Sequence, residues 1–144
     1  MTNLQFQLRH DYDKLPIRAH KGDAGLDLFA ASPSTLFPGV VRAVSTGVSV
    51  AIPEGMCGLV LPRSSMGQAG IIIPNSPGLI DSGYRGELKV LLLNLLSEIY
   101  TVNEGDKVAQ LVIVRYENMI PTQVEELPAS EDGRGVGGFG SSGK

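Results

Sequence analysis

The sequence contains a single cysteine, two histidines and no tryptophan. One cysteine, Cys57, excludes an internal disulfide, and with His10 and His20 it is too few for a Cys/His zinc site. Chains without disulfides are typical of reducing compartments, so we expect the protein in the cytoplasm. No apolar run approaches the roughly 18 residues that a membrane span needs, and the alternating N-terminus is unlike a signal peptide. We therefore expect no membrane partner.

Positive charge is also scarce. The chain has 12 Lys and Arg against 15 Asp and Glu, a formal net charge of −3, and no basic cluster. Proteins that follow a nucleic-acid backbone neutralise several phosphates with Lys and Arg, so we expect no nucleic-acid partner. Any anionic ligand must be met locally, by a few basic side chains, by backbone amides or by a metal ion.

Long stretches of helical period are absent, whereas 18 glycines and 9 prolines are spread along the chain. Such punctuation is typical of many short strands. Alternation and short apolar segments predict strands at 4–8, 40–44 and 46–52. Three more continuous apolar runs predict strands buried on both faces, at 58–61, 88–93 and 108–114. A short helix is allowed at 64–69. The sequence predicts an all-β fold, either a barrel or a double-sheet jelly roll, with a glycine-rich segment of low order from about residue 129 onward.

The last eleven residues, 134–144, include five glycines and little apolar surface. They also carry a guanidinium (Arg134), an aromatic ring (Phe139) and two adjacent hydroxyls (Ser141, Ser142). A ring can stack on a base, while the other groups and glycine amides can hold oxyanions. These residues suit a ligand with a flat ring at one end and phosphates at the other. The alternative is a glycine-rich C-terminus with no role.

Two internal segments add polar groups beside apolar strands. Asp27 lies between two leucines, where it is either a turn carboxylate or a functional acid. Arg63, Ser64 and Ser65 follow an apolar strand at a possible helix start. Guanidinium, hydroxyls and free amides together make an anion site, although serine after a strand is also an ordinary helix cap.

Residues 75–88 carry the strongest pattern and are expected to form a hairpin with turns at Pro77-Gly78 and Ser82-Gly83. Asp81 follows two aliphatic residues, so we expect it at the sheet rim, partly desolvated and able to act as a base on water. Asn75 can donate and accept, as reading one edge of a pyrimidine requires. Tyr84 offers a flat face to a sugar. The alternative, an ordinary hairpin with an exposed acid, does not explain why all three residues occur in one hairpin.

Five segments in order resemble the motifs of the homotrimeric dUTP pyrophosphatases (dUTPases): 24–28, 62–67, 75–88, 105–112 and 134–143. The resemblance implies a homotrimer whose subunits have a jelly-roll-like β-barrel over residues 1–128 and a glycine-rich arm at 129–144. The active sites would be shared between subunits. It implies hydrolysis of dUTP to dUMP and pyrophosphate with Mg²⁺, which limits uracil in DNA and supplies dUMP for thymidylate synthesis. The glycine-rich arm would close the site of its own or a neighbouring subunit.

The resemblance also implies residue roles. Asp81 matches the base that deprotonates the water attacking the α-phosphorus, and Asp27 matches the acid that holds waters of bound Mg²⁺. Tyr84 matches the ring beneath the deoxyribose. The uracil-reading positions are Asn75 and the backbone of Gly78, Leu79 and Ile80, and Phe139 would stack on the base. The remaining substrate-binding or supporting positions are Arg63, Ser64, Ser65, Lys89, Gln110, Arg134, Gly140, Ser141 and Ser142.

Two departures from the family pattern are visible. Ser65 stands where many members have glycine, and the stretch from Arg63 to Asn75 is one residue shorter than usual. The nearest rival is a dCTP deaminase, which would need a glutamate at the position of Leu92 and an arginine near Gln68. A non-catalytic jelly-roll module would explain the strands but not the polar segments.

Overall fold

Eleven strands and one short helix make up the part of the chain that the computed structural model describes, residues 3–133, 135 and 136. The strands are β1 (Gln5–Leu8), β2 (Leu26–Phe29), β3 (Ser34–Leu36), β4 (Val41–Ser45), β5 (Val48–Ala51), β6 (Met56–Leu61), β7 (Ile71–Ile72), β8 (Gly78–Ile80), β9 (Lys89–Asn94), β10 (Tyr100–Val102) and β11 (Lys107–Arg115). The helix α1 spans Ser64–Gln68. The predicted all-β class is confirmed, and each of the six predicted strands overlaps an observed one.

The strands pair antiparallel in four hydrogen-bonded sheets. The largest has the order β2-β11-β6-β8, and a second has the order β4-β9-β7. Two further sheets are the pairs β1-β5 and β10-β3. These described strands do not form a closed barrel, so the jelly-roll-like barrel stays a prediction.

The core is one cluster of aliphatic side chains supplied by nearly every strand. Its largest fully buried members are Leu28, Leu36, Val44, Val48, Val50, Ile71, Leu88, Val90, Leu92, Val102, Val108 and Leu111. The continuous apolar run of β9 is fully buried on one face only, because Val90 and Leu92 point into the core while Leu91 and Leu93 are half-buried. Successive side chains of a strand face opposite sides, so an apolar run leaves its second face open in a single chain. The expectation that this strand is buried on both faces is therefore wrong for the chain alone. It is wrong in the same way for 58–61 and 108–114, where Leu59, Leu61 and Val112 are half-buried.

The predicted hairpin at 75–88 is also corrected. Its strand β8 pairs with β6, with Gly78 opposite Val60 and Ile80 opposite Gly58. The turn at Ser82-Gly83 is present, since the Tyr84 amide donates to the Asp81 carbonyl over 3.1 Å. The strand β8 pairs with β6, and not within a local hairpin, because β6 is a continuous apolar strand and residues 82–87 form a turn.

After β11 the chain runs on without a helix or strand in the described residues. Its large apolar side chains point to solvent: Ile120 is 85% exposed and Leu127 is 80% exposed, and Met119 and Val124 are exposed as well. These side chains do not contribute to the core. Within the described ranges, no helix has the length and apolar character needed to cross a membrane.

Candidate active site

Asp27 lies at the centre of an ion-pair cluster. It is on β2, only 8% exposed, and pairs in register with Gln110 of β11, which in turn lies opposite Leu61 of β6. One Asp27 carboxylate oxygen is 2.9 Å from Nε of Arg63, and the other is 2.8 Å from Nζ of Lys107. A buried carboxylate needs such partners, because an unpaired buried charge is costly. Asp27 therefore fixes the directions of two cations.

Gln110 closes the same cluster from β11. Its Nε2 donates to the carbonyl of Pro62 over 2.9 Å, which ties β11 to the start of the 62–65 segment. A Cβ on Gly25 would come within 2.4 Å of the Gln110 Oε1, so glycine at that position leaves room for the amide. The side chain therefore supports the loop that carries Arg63, while its part in substrate binding stays a prediction.

Arg63 stands directly before α1 in an extended conformation. No side-chain hydrogen bond caps the helix, so Ser64 and Ser65 are not its caps. The Arg63 guanidinium reaches the Ser65 hydroxyl at 3.5 Å, a weak contact. A pocket of about 420 Å³ is lined by Arg63, Ser65 and Lys107 and by one acid, Asp106; we name it the cationic pocket after its two basic residues. Ser64 is exposed and is not among its lining residues.

Lys107 was missed at the sequence level, although it lies inside the segment 105–112 that resembles a family motif. Its ammonium lines the cationic pocket beside Arg63, and both are held by the same carboxylate. Two cations with a nearby hydroxyl are suited to binding an oxyanion such as a phosphate. The Gly-Asp-Lys sequence alone gave no distance to Arg63, which is 44 positions earlier in the chain.

The role of Asp27 in holding waters of bound Mg²⁺ stays a prediction, and in this conformation its carboxylate is not placed to ligate a metal directly. Both of its oxygens are already in ion pairs, and cations are poor neighbours for Mg²⁺. Among the described residues there is also no group of three or more His, Cys, Asp or Glu side chains that could hold a metal ion. Magnesium in proteins is commonly held by one or two carboxylates together with substrate phosphates and waters.

Asp81 belongs to a second pocket. It comes directly after β8, at the sheet rim as predicted, but its side chain is exposed and not partly desolvated in the single chain. The pocket encloses about 410 Å³, and we name it the hairpin pocket. It is lined by Leu79, Ile80, Asp81, Tyr84, Glu87, Leu88 and Lys89. Five of these seven residues were predicted substrate or catalytic residues.

Asn75 and Gly78 flank the other end of β8. Asn75 is exposed, and its Nδ2 lies 3.5 Å from where a Cβ on Gly78 would be. Gly78 itself is buried against Val60. The amide of Asn75 therefore lies beside the first residue of β8, but it is not among the residues that line the hairpin pocket.

The two pockets share no lining residue. Ile80 lies opposite Gly58, so Asp81 leaves the sheet at one end of β6, whereas Arg63 follows the other end. From Gly58 to Arg63 is a rise of roughly 16 Å at about 3.3 Å per residue. Arg63 also turns towards β2, while β8 lies on the opposite side of β6. One chain therefore does not bring Asp81 to its own cationic pocket.

The predicted tail residues Arg134, Phe139, Gly140, Ser141 and Ser142 lie outside the described residues. Their contribution to either pocket stays a prediction.

Comparisons with known proteins identify the family of the chain. A sequence model of the family described as dUTPase matches residues 11–143. The deoxyuridine 5'-triphosphate nucleotidohydrolase of Solibacter usitatus is 47% identical over 151 residues, covering 100% of this chain and 99% of that protein. The protein of the same description from Mycobacterium marinum is 52% identical over 134 residues, covering 90% of this chain and 87% of that protein.

Solved structures show the same likeness. The Staphylococcus bacteriophage 80alpha dUTPase with dUPNHPP matches with a TM-score of 0.90 and 34% identity, covering 100% of both chains. A mutant dUTPase from phage phi11 of S. aureus, described for the coordination of a structural Mg(II) ion, matches with a TM-score of 0.80 and 34% identity. That match covers 87% of this chain and 98% of the other.

The fold and its relatives define a hydrolase of nucleotide metabolism. More narrowly, the chain belongs to the dUTPase family, and the reaction it catalyses is the hydrolysis of dUTP.

Proposed function

We propose that the protein hydrolyses dUTP to dUMP and pyrophosphate, with Asp81 taking a proton from the water that attacks the α-phosphorus. The observation that carries the proposal is the hairpin pocket, which gathers Asp81, Tyr84 and Lys89 around the end of β8. Among the described residues, none forms an ion pair or side-chain hydrogen bond with the Asp81 carboxylate. An unengaged carboxylate can accept a proton, as a general base must.

The base and the sugar would be read along β8. Asn75 and the backbone of Gly78, Leu79 and Ile80 are proposed to hydrogen-bond the uracil edge, because amide and peptide groups offer donors and acceptors together. Tyr84 is proposed to lie beneath the deoxyribose and to leave no room for a 2′-hydroxyl. Its ring lines the same pocket as Asp81, which supports this assignment.

The cationic pocket is proposed to bind the phosphates. Arg63 and Lys107 would meet phosphate oxygens, with the Ser64 and Ser65 hydroxyls and amides beside them. Asp27 would hold both cations in place, since its two oxygens are 2.9 Å and 2.8 Å from them. As the family resemblance implies, it would also meet bound Mg²⁺ through waters of the ion. Phosphate transfer depends on such positioning and charge neutralisation more than on covalent help from the protein.

Mg²⁺ is proposed to enter with the triphosphate. A substrate with about four negative charges exceeds what the two cations of the pocket neutralise, and Mg²⁺ commonly binds through substrate phosphates. The ion would supply charge neutralisation on the phosphate oxygens. The phage phi11 relative is described as coordinating a structural Mg(II) ion, so at least one similar protein binds this metal.

A homotrimer with shared sites is proposed, because one chain keeps its base and its cationic pocket apart. Three chains related by cyclic symmetry can bring Asp81 of one subunit to the cationic pocket of another. The exposed apolar side chains after β11, such as Ile120 and Leu127, support an extensive contact between chains. The open second face of β9 is further apolar surface of the same kind.

Residues 129–144 are proposed as an arm that closes the site. Phe139 would stack on uracil, while Arg134, Gly140, Ser141 and Ser142 would reach the phosphates. Closure would exclude bulk water and complete the set of donors around the triphosphate. The remaining chain, 1–128, would be the jelly-roll domain.

In the cell, this reaction would limit uracil incorporation into DNA and supply dUMP for thymidylate synthesis, and we propose the cytoplasm as its location. A dCTP deaminase is not favoured, because Leu92 is fully buried in the core where that chemistry needs an acid. A non-catalytic module is not favoured by the family to which the chain belongs.

The substitution Asp81→Asn tests the base. Asparagine is nearly isosteric but cannot take the proton, so dUTP binding should persist while kcat falls by roughly two to four orders of magnitude. The assay is pyrophosphate release at saturating dUTP and Mg²⁺, with Asp13→Asn at an exposed position as the matched control. A loss of less than about fivefold would mean that another group is the base. Incubation with dCTP and an ammonia assay tests the deaminase.

A further inference from the structure

The ring of Tyr84 is held against its own turn. Its hydroxyl donates to the backbone carbonyl of Glu87 over 3.0 Å. A Cβ on Gly86 would come within 2.4 Å of the hydroxyl oxygen and 2.6 Å of the ring carbon that bears it. The ring therefore lies directly on the backbone of Gly86, where any other residue would push it away. The position of the ring follows the position of residues 86 and 87.

Glu87 fixes that backbone from the other side. One oxygen of its half-buried carboxylate accepts two hydrogen bonds, from the Gly47 amide over 2.7 Å and from the Ser45 hydroxyl. Ser45 ends β4, and Gly47 lies in the turn before β5, where its φ of +68° favours glycine. The side chain of Glu87 thus ties the Tyr84 turn to a part of the sheet some 40 positions earlier in the chain.

Charge around this tie is balanced locally. Arg9 donates from Nη1 to the Ser45 hydroxyl over 3.3 Å. Asp11 and, more weakly, Glu87 raise the pKa of the Arg9 guanidinium. The next residue, Leu88, is fixed independently, because its amide donates to Val48 and its carbonyl accepts from Thr46. Within the turn itself, the Arg85 guanidinium donates to the carbonyls of Ser82 and Tyr84, so Glu87 is the side chain that joins this turn to the β4–β5 turn.

We propose that Glu87 is a positioning residue for the choice between deoxyribonucleotide and ribonucleotide. Its side chain ties residue 87 to the β4–β5 turn, and the Leu88 amide of the same peptide unit as the Glu87 carbonyl donates to Val48. Together the two anchors set the carbonyl that holds the Tyr84 hydroxyl, and so the depth of the ring in the hairpin pocket. The Tyr84 ring can exclude a 2′-hydroxyl only if it keeps its position when the hydroxyl presses against it. This inference rests on the proposed function of Tyr84 as the surface beneath the sugar.

The test compares kcat and KM for dUTP and UTP in Glu87→Ala, Glu87→Gln and wild type. The ratio of kcat/KM for dUTP to that for UTP should fall about tenfold in Glu87→Ala, mainly through a lower KM for UTP. Glu87→Gln keeps an oxygen that accepts both bonds, so it should restore the ratio to within about threefold of wild type. The exposed Glu54→Ala is the matched control and should leave the ratio unchanged.

A double substitution separates the two proposals. In a Tyr84→Ala background the ring is gone, so adding Glu87→Ala should not lower the ratio further. If Glu87→Ala lowers the ratio by the same factor in wild type and in the Tyr84→Ala background, the inference is overturned. If Tyr84→Ala lowers the ratio and Glu87→Ala does not, the inference fails while the role of Tyr84 stands. If Tyr84→Ala leaves the ratio intact, the proposed role of Tyr84 fails first.

A thermal melt checks that each variant is folded. If Glu87→Ala does not fold, Ser45→Ala replaces it, because this change removes only one of the two donors to the same oxygen. A smaller fall of the ratio in the same direction supports the inference. An unchanged ratio in a folded Ser45→Ala protein overturns it.

Discussion

Mixed trimers of two inactive variants should regain activity. Asp81→Asn removes the proposed base, and Arg63→Gln removes a cation from the cationic pocket. Within one chain these positions lie at opposite ends of β6, roughly 16 Å apart along the strand alone. A water poised for attack lies about 3 to 3.5 Å from its phosphorus, so both residues serve one substrate only if they come from different chains.

The expected magnitudes follow from this arrangement. Asp81→Asn alone should lose roughly two to four orders of magnitude in kcat. Arg63→Gln should lose about 1.5 to 3 kcal/mol of charge-assisted hydrogen bonding, or roughly 10- to 150-fold in kcat/KM. In a cyclic trimer that contains both variants, only one of the three boundaries joins an intact Arg63 to an intact Asp81. Every mixed trimer should therefore have about a third of wild-type activity, whether it contains two chains of one variant or of the other.

The assay uses chains with two different affinity tags, co-expressed and purified over both matrices so that only mixed trimers remain. Native mass measurement verifies their composition, and pyrophosphate release gives activity per trimer. Mixtures of separately purified homotrimers provide the baseline. Verified mixed trimers that are no more active than this baseline would refute the shared site and place both residues in the site of one chain.

Three further outcomes are expected. Lys107→Gln should raise KM for dUTP about tenfold while Lys107→Arg keeps most of the affinity, and unchanged kinetics in Lys107→Gln would remove it from phosphate binding. Deleting residues 134–144 should change the free energy of unfolding by about 1 kcal/mol or less but lower kcat/KM by roughly two orders of magnitude; near-normal kcat/KM would refute the arm as a lid. Within the described structure the Tyr12 hydroxyl is buried without a partner, so Tyr12→Phe should be neutral or stabilising by up to about 1 kcal/mol in a thermal melt. Burial raises the pKa of Tyr12 above its ordinary 10.0, so above that pH the unfolded chain ionises first and stability should fall in wild type more than in Tyr12→Phe.

The sequence pattern predicted those strands whose own residues show a clear alternation or a continuous apolar run. The alternation around Phe6 marks β1, and the apolar run to Val114 marks β11. By contrast, β7 has only two residues, Ile71 and Ile72, and exists through its pairing with β9. Such a strand has too little sequence to show a period, so only its distant partner defines it.

The candidate site divides in the same way. Asp81 and Tyr84 stand close together in the chain, so their segment could be recognised from sequence. Asp27 is joined to Arg63 and Lys107, which are far from it along the chain, and no local pattern predicts those ion pairs. Glu87 reads as a surface acid after a turn, and its bonds to the β4–β5 turn become visible only once β4 and β9 are paired.

If the proposed trimer forms, the exposed apolar side chains that follow β11 link the amount of active enzyme to the amount of chain synthesised; they include Met119, Ile120, Val124 and Leu127. A chain that has left the ribosome but has not met two partners displays these side chains as an unfolded protein would, and is open to chaperones and proteases. If three chains must combine, the yield of complete enzyme rises more steeply than the amount synthesised. Halving expression would then remove more than half of the active enzyme.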